Sequence, residues 1–431
     1  MSRTVRLLLS VSVLCLLLPV VAFAQSSGKR PYEGVTLNVM AAEHFWFNSI
    51  EGTFDQFKEL TGATVVVDKS AERSLYDRIK TAVTPRQSDS DVIVVDQEWV
   101  AEFARNGLLD DLGPWMKRTD LADPTWSLKD FVPAYVSGLC TYEDKVWTIP
   151  LGGHSNFLAY NTQYFKEAGI TKAPATMDEL LADAKRLTTK GRSGIVFRAL
   201  RGHEVVFTYL EYFYPFGGVF FSKDWKPQLS SPEGVRALEF LIKLQQYAPS
   251  DVSSYTFGEM LTSFQQGKSA MYQDANVPGI IENPAADQAI AGKVAYAPFP
   301  AGVNHKTVLA GWTLGIPAGA KNKELAWKFI QFQSNRANAV STFAAGRDPI
   351  LLSTFSDPAA KAAKPDYPFD MVLAALKNAN PDFRPRIPEC SRVEDVLGLY
   401  LSEALSGQMK PKEALQKADA EIAGIMKSAG Y

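Results

Sequence analysis

Cysteine is nearly missing from this chain, with three in 431 residues. That excludes a small fold stapled by disulfides. An excess of one charge is missing too: 45 Lys and Arg face 47 Asp and Glu, for a net charge of −2. Nothing in that balance offers the basic face a nucleic acid requires. The four histidines (His44, His154, His203, His305) are scattered, and none sits in a His-Glu-x-x-His or Cys-x-x-Cys setting. The sequence therefore gives no local support for a metal site. There is no Gly-x-Ser-x-Gly elbow, no phosphate-binding Gly-x-x-x-x-Gly-Lys-Ser/Thr loop and no Gly-x-Gly-x-x-Gly turn. Short-period repeats and low-complexity tracts are absent as well. No cofactor is indicated.

One long apolar run exists, and it stands at the N-terminus. Arg3 and Arg6 precede an almost wholly apolar stretch from Leu7 to Val21, which ends in Ala22-Phe23-Ala24. A charged start, an apolar middle and a small-x-small end read as an export signal cleaved after Ala24. The competing reading is a membrane anchor, since the run approaches spanning length. Pro19 and the Ala-x-Ala end favour cleavage. Lipid attachment at Cys15 is disfavoured by the bulky Leu14 before it. Residues 1–24 are set aside as a signal peptide, and the mature chain is expected in the periplasm. Cleavage leaves Cys140 and Cys390, an even pair open to a disulfide in an oxidising compartment, or two buried thiols.

The remainder has an ordinary globular composition, 46% hydrophobic and 21% charged. Its length suggests about two domains. Val35–Met40, Thr64–Val67 and Asp91–Asp96 read as strands. Helical spacing links Ile50, Phe54, Phe57 and Leu60 after a candidate cap at Asn48, and Gly62 ends that helix. Leu75, Ile79 and Val83 repeat until Pro85, and Glu98–Asn106 is closed by Gly107. This alternation is that of an α/β domain with a largely parallel, buried sheet. A second α/β region follows. Its signals are strands near Val146–Pro150, Phe157–Tyr160, Phe264–Met271, Val294–Ala297 and Val308–Ile316. Helices open at Thr176 with Glu179 and at Ser231-Pro232, and later span Asn322–Ser334 and Pro411–Lys427.

Aromatic residues recur beside planar polar ones at strand ends. His44-Phe45-Trp46-Phe47 follows the first strand, and Asp96-Gln97-Glu98-Trp99 follows the third. The segment Tyr209–Val219 adds Tyr209, Tyr212, Phe213, Tyr214 and Phe216 before Gly217-Gly218. Ligands of open α/β sheets bind beyond the carboxyl ends of the strands. A sugar presents an apolar C–H face that stacks on a ring and hydroxyls that pair with carboxylates, amides and guanidinium groups. The bland alternative for each ring is core packing. Two of the many carboxylates could instead act as a glycosidase pair.

Five stretches carry a family resemblance. They are Phe57–Val65, Asp91–Leu109, Asp144–Pro150 with Leu158–Asn161, Phe264–Met271, and Gly311-Trp312 with Ala326–Ile330. In this order, they resemble the extracellular solute-binding proteins of bacterial ABC importers, in the group that binds sugars and polyols. The resemblance covers essentially the whole mature chain. It implies an α/β fold of two lobes, type II-like among periplasmic binding proteins, with a hinge of three crossovers and the ligand in the cleft between the lobes. The crossovers are expected near Gly152–Ser155, His305–Leu309 and Ala345–Pro349. Lobe one is then residues 34–152 plus 309–346, and lobe two is 153–308 plus 347–431.

The family's cleft positions match His44, Trp46, Gln97, Glu98, His154, Tyr214, Gly217, Asp274, Asn276, Trp312, Arg347 and Arg386. For Arg347 and Arg386, hinge salt bridges are the competing role. Many relatives carry a tryptophan after the Met271 strand, where this chain has Asp274-Ala-Asn-Val277. That weighs against a malto-oligosaccharide. The implied function is non-enzymatic. A monomer captures a sugar or polyol and delivers it to a membrane permease, with no nucleic-acid partner. The alternatives are another small solute (polyamine, phosphate ester or organic acid) and a secreted glycoside-acting enzyme.

Overall fold

The computed structural model describes residues 30–275, 281 and 289–431; the signal segment with Cys15, and Asn276, lie outside the described residues. In chain order the strands are β1 (Thr36–Ala42), β2 (Thr64–Ser70), β3 (Val92–Asp96), β4 (Thr141–Tyr142), β5 (Lys145–Val146), β6 (Thr148–His154), β7 (Asn156–Asn161), β8 (Met271–Ala275), β9 (Val294–Pro298) and β10 (Ala310–Gly315). Five of them form one sheet in the order β2-β1-β3-β10-β6. β1 pairs in parallel with β2 and β3, and β10 runs antiparallel to β3 and β6. Val92–Val95 is buried throughout, which is why β3 reads as an unbroken apolar run rather than an alternation.

Only Ser155 separates β6 in this first sheet from β7 in the second. The second sheet is β8-β7-β9, antiparallel at both pairings. The chain returns to the first sheet at β10, which therefore runs against its neighbours. β4 and β5 form a separate two-stranded sheet. The two larger hydrophobic cores among the described residues lie against the five- and three-stranded sheets. One gathers Leu37, Ile93, Val95, Leu314 and Trp327, and the other Phe157, Leu238, Val393 and Ile422. A smaller third cluster includes Ala159, Phe264 and Tyr272.

Local chemistry explains most element ends. Thr176 and Glu179 form a reciprocal capping box that opens the helix Met177–Leu187. Ser231 caps the helix Pro232–Gln245, accepting from Gly234 N–H, with proline in the first turn. Gly62, at φ 86°, takes the left-handed conformation that stops the helix Phe54–Thr61.

Several expectations are corrected. Asn48 is no cap: it lies inside the helix Phe45–Glu51, whose cap is His44. The stretch from Phe264 is not strand, because a Thr256–Glu259 capping box starts a helix that runs to Gln265, and β8 begins only at Met271. The second sheet is antiparallel, not a repeat of the first. Val132, Tyr135, Leu139 and Cys140 precede β6 in sequence yet pack into the second core. Cys140 and Cys390 are both buried free thiols with no bond between them. Burial raises the Cys140 pKa to about 12, which keeps it protonated and inert.

Arg347 is a buried strut. It is 1% exposed, and its guanidinium donates to the carbonyls of Leu151 and Gln333 at 2.5 Å and of Pro150 at 3.5 Å. Burial without a carboxylate partner lowers its pKa to about 9. The strand before the first crossover is thereby tied to the helix Lys323–Ser334. Truncation orphans these carbonyls at roughly 1–3 kcal/mol each. Arg347→Ala is therefore expected to lower the urea midpoint strongly, and a midpoint within error of the parent contradicts this role.

Candidate functional site

The carboxyl ends of the parallel strands and the amino end of β10 open on the same space. His44, Phe45 and Trp46 follow β1, Glu72 follows β2, Asp96 ends β3, His154 ends β6, and Trp312 lies near the start of β10. Across from them stand Arg198, His203, Phe207, Phe257 and Arg384, which come from the half of the molecule built on the second sheet. Together they line a cavity of about 70 Å³. Drug-sized sites run to ~300 Å³ and above, so this space suits one small molecule.

Each ring is held by identifiable contacts. Trp46 lies flat against β6 because residue 152 is glycine: a Cβ there would sit 2.3 Å from the indole. Its Nε1–H donates to Asp348 Oδ2 at 2.9 Å. Trp312 packs edge-on against Trp99, with centroids 5.4 Å apart, and beside His44 at 5.7 Å. His44 Nδ1 accepts from Trp46 N–H at 3.2 Å, and burial lowers its pKa to about 3, so the imidazole is neutral. His154 is neutral for the same reason, with nearby Arg198 adding to the effect of burial. Its Nδ1 is buried without a hydrogen-bond partner.

The charged walls are internally compensated. Arg198 donates to both oxygens of Asp274, at 2.5 and 2.7 Å, and to Glu204 at 3.0 Å, while its guanidinium lies 3.8 Å from the Phe207 ring centre. Arg384 donates to Glu98 Oε2 at 2.7 Å and lies 3.5 Å from Asp96 and 3.4 Å from Glu394. His203 Nδ1 stands 2.9 Å from that guanidinium, 3.4 Å from Glu98 and 3.3 Å from Glu394. Burial and Arg384 disfavour the imidazolium, but the bonds to Glu394 and Glu98 outweigh them and raise the His203 pKa to about 10. Asp96 is pushed up to about 7 by burial and by Glu98, whereas against its own burial Glu98 is held far below the usual range by Arg384.

Glu98, His203 and Glu394 could offer a metal three ligand atoms within 4.8 Å. The Arg384 guanidinium already occupies the cation position among them.

Sequence reasoning brought some, not all, of these groups together. His44, Trp46, His154 and Trp312 line the cavity. Glu98 stands behind it, holding Arg384. Asp274 is fully buried under Arg198. Gln97 points elsewhere, its Nε2 donating to the Leu309 carbonyl at 3.1 Å. Arg347 is buried on the carbonyls of Leu151 and Gln333, outside the cavity lining. Arg386 is solvent-facing, paired with Asp382 at 2.8 Å. Tyr214 donates to the Asp382 and Phe383 carbonyls at 2.9 and 3.0 Å, outside the cavity lining. Gly217, at φ 97°, turns the chain beside Val303, away from the cavity. The aromatic segment is core instead: Tyr209, Tyr212 and Phe213 are fully buried in the helix His203–Phe213. Phe45 and Asp96 are singled out at strand ends by the sequence but not as cleft positions; the residues missed altogether include Glu72, Arg198, His203, Phe207, Phe257 and Arg384.

A family model for bacterial extracellular solute-binding protein matches residues 41–340, and the chain belongs to that family. Its members are substrate-binding proteins of ABC transporters and not enzymes. An erythritol/L-threitol-binding protein of Mycolicibacterium smegmatis is 26% identical over 345 residues, 76% of this chain and 72% of the relative. A mannitol-binding protein of Pseudomonas aeruginosa is 27% identical over 390 residues, 84% of this chain and 86% of the relative. An ABC transporter solute-binding protein of Agrobacterium radiobacter K84, solved with ribitol, is 29% identical with a TM-score of 0.84, over 92% of this chain and 100% of that one. These neighbours are two-lobe proteins, and the mixed helix and sheet content here fits that fold.

Asp348 provides a test of the geometry under Trp46. Burial raises its pKa from 3.8 to about 7, against the opposing bonds from Trp46 and Tyr367. The folded state thus keeps a proton that the unfolded chain releases. The stability this group contributes is complete below pH ~4 and is lost as pH rises through ~7. Asp348→Asn retains an acceptor for Trp46 but does not titrate. Its unfolding free energy relative to the parent is expected to rise steadily between pH 4 and 8; a pH-independent difference contradicts the assignment.

Proposed function

We propose that this protein captures a small, neutral, polyhydroxylated solute (a polyol or monosaccharide) between its lobes and passes it intact to the permease of an ABC importer. The observation that carries this reading is His154. It is a neutral imidazole in the cavity wall whose Nδ1 has no hydrogen-bond partner. An unsatisfied buried polar atom costs about 1–3 kcal/mol, which a solute hydroxyl, able to donate or accept, recovers. Trp46, Trp312, Phe45 and Phe257 supply flat apolar surface for the C–H face of such a solute.

Charge balance argues against the other solutes considered. A phosphate ester or organic acid needs cationic groups to spare, yet Arg198 and Arg384 are already engaged by carboxylates. A polyamine needs several carboxylates to spare, and Asp96, Glu98, Glu204 and Asp274 face the arginines, which leaves Glu72 alone. The binding of erythritol, threitol, mannitol and ribitol by related proteins supports the same choice.

The proposed lobes follow the sheets, with the hinge at Ser155, at Val308-Leu309 and beside Arg347. Ligand contacts available only in the closed form drive closure. Export through the signal at residues 1–24, a periplasmic site of action and a monomeric state complete the proposal. No helix among the described residues is long and apolar enough to cross a membrane.

Titration calorimetry with erythritol, ribitol, D-mannitol, maltose, spermidine and glucose 6-phosphate tests the reading. One of the polyols is expected to bind, and Trp312→Ala to weaken it about tenfold or more, equivalent to ~1.4 kcal/mol. Binding confined to spermidine or the phosphate ester overturns the neutral-solute reading, and hydrolysis of maltose overturns the binding-protein reading.

A further inference from the structure

A second groove, away from the central cavity, gathers the molecule's unusual features. It has a volume of about 630 Å³ and runs between the β4–β5 turn, the loop Val219–Trp225 and the segment Asn380–Arg386. Three non-glycine residues have positive φ among the described residues: Glu143 at 47°, Asp144 at 59° and Trp225 at 55°. All three line this groove. The Glu143-Asp144 pair has the two left-handed residues of a tight hairpin turn. Trp225 closes a second turn: its N–H donates to the Ser222 carbonyl at 3.0 Å, and Phe221 bridges to Pro227 beyond it. The left-handed position of such a turn usually falls to glycine, and here it carries an indole.

The indole is nevertheless held outward. It is 39% exposed and braced on Tyr431 and Phe221, with ring centres 4.8 and 5.7 Å away. Val219, 56% exposed, lines the same groove.

We propose that this groove is a second ligand site, for a saccharide chain of more than one unit. The chemistry is that of sugar recognition. Trp225 and Tyr142 offer flat apolar faces, while Asn380, Asp382, Arg386 and Lys306 supply donors and acceptors along them. Acidic and basic groups are interspersed, which disfavours a ligand of one charge. Its volume is about 630 Å³ against about 70 Å³ for the central cavity, which is room for more than one sugar unit. Tyr214 and Arg386, expected from sequence at the central site, both line this groove instead. The proposal is independent of the identity of the central ligand.

The test uses the mature full chain and two probes, maltotriose and cellotriose, in titration calorimetry. At least one is expected to bind the parent. Trp225→Gly, which suits the left-handed backbone, is expected to weaken that binding about tenfold or more while the circular dichroism spectrum is unchanged. Trp312→Ala is expected to leave it unaltered. Hydroxyl-radical footprinting of the parent supplies a readout without substitution, with Trp225 protected by the bound probe. No binding of either probe, parental affinity in Trp225→Gly, loss of binding in Trp312→Ala, or an unprotected Trp225 each overturns the proposal.

Discussion

The guanidinium of Arg384 joins the two halves of the molecule. It comes from the half built on the second sheet and reaches Glu98 and Asp96 at the end of β3 in the first, with Glu394 and His203 closing the group on its own side. The energetics of such a cluster suit a hinge. At an effective dielectric of about 20, two charges 4 Å apart attract by about 4 kcal/mol. Desolvating them costs several kcal/mol. Under the proposed function, opening gives each group back to water, which offsets much of the attraction lost. A small solute can then tip the balance with a few hydrogen bonds and one stacked ring. An apolar seam of the same size would hold the lobes shut without a guest.

The same cluster shapes what the cavity accepts. Two arginines and a protonated histidine border it, yet each has its carboxylates in place, so a guest meets mainly dipoles and ring faces, with Glu72 the one carboxylate of the lining that faces no arginine. His44 and His154 are kept neutral by burial and act as hydrogen-bonding groups. Glycine at 152 and Asp348 fix the plane of Trp46. The geometry is set before the solute arrives, which lowers the ordering cost of binding.

Much of the fold was legible because it is written locally. The capping box at Thr176 and Glu179, the stop at Gly62 and the apolar run Val92–Val95 depend on neighbours a few residues away. The strand ends carrying His44, Trp46 and Asp96 follow from those elements. What was not legible depends on distant pairings. Arg384 and Arg386 differ by two positions and look alike in sequence; only the first meets carboxylates contributed by β3 and a later helix. His203 looked like an isolated histidine because its partners lie far along the chain. The aromatic segment around Tyr212 resembled a binding surface, but its helix is buried on all sides, and core packing is what its rings do. Cys140 and Cys390 share a core without sharing a bond, which spacing alone could not decide.

The central claim is that the bridge centred on Arg384 holds the two lobes together in near balance with solvent. Small-angle X-ray scattering of the parent and of Arg384→Met, without added solute, tests it most directly. The account predicts a larger radius of gyration for the variant, with its circular dichroism spectrum unchanged. Superimposable scattering curves from the two proteins would contradict it.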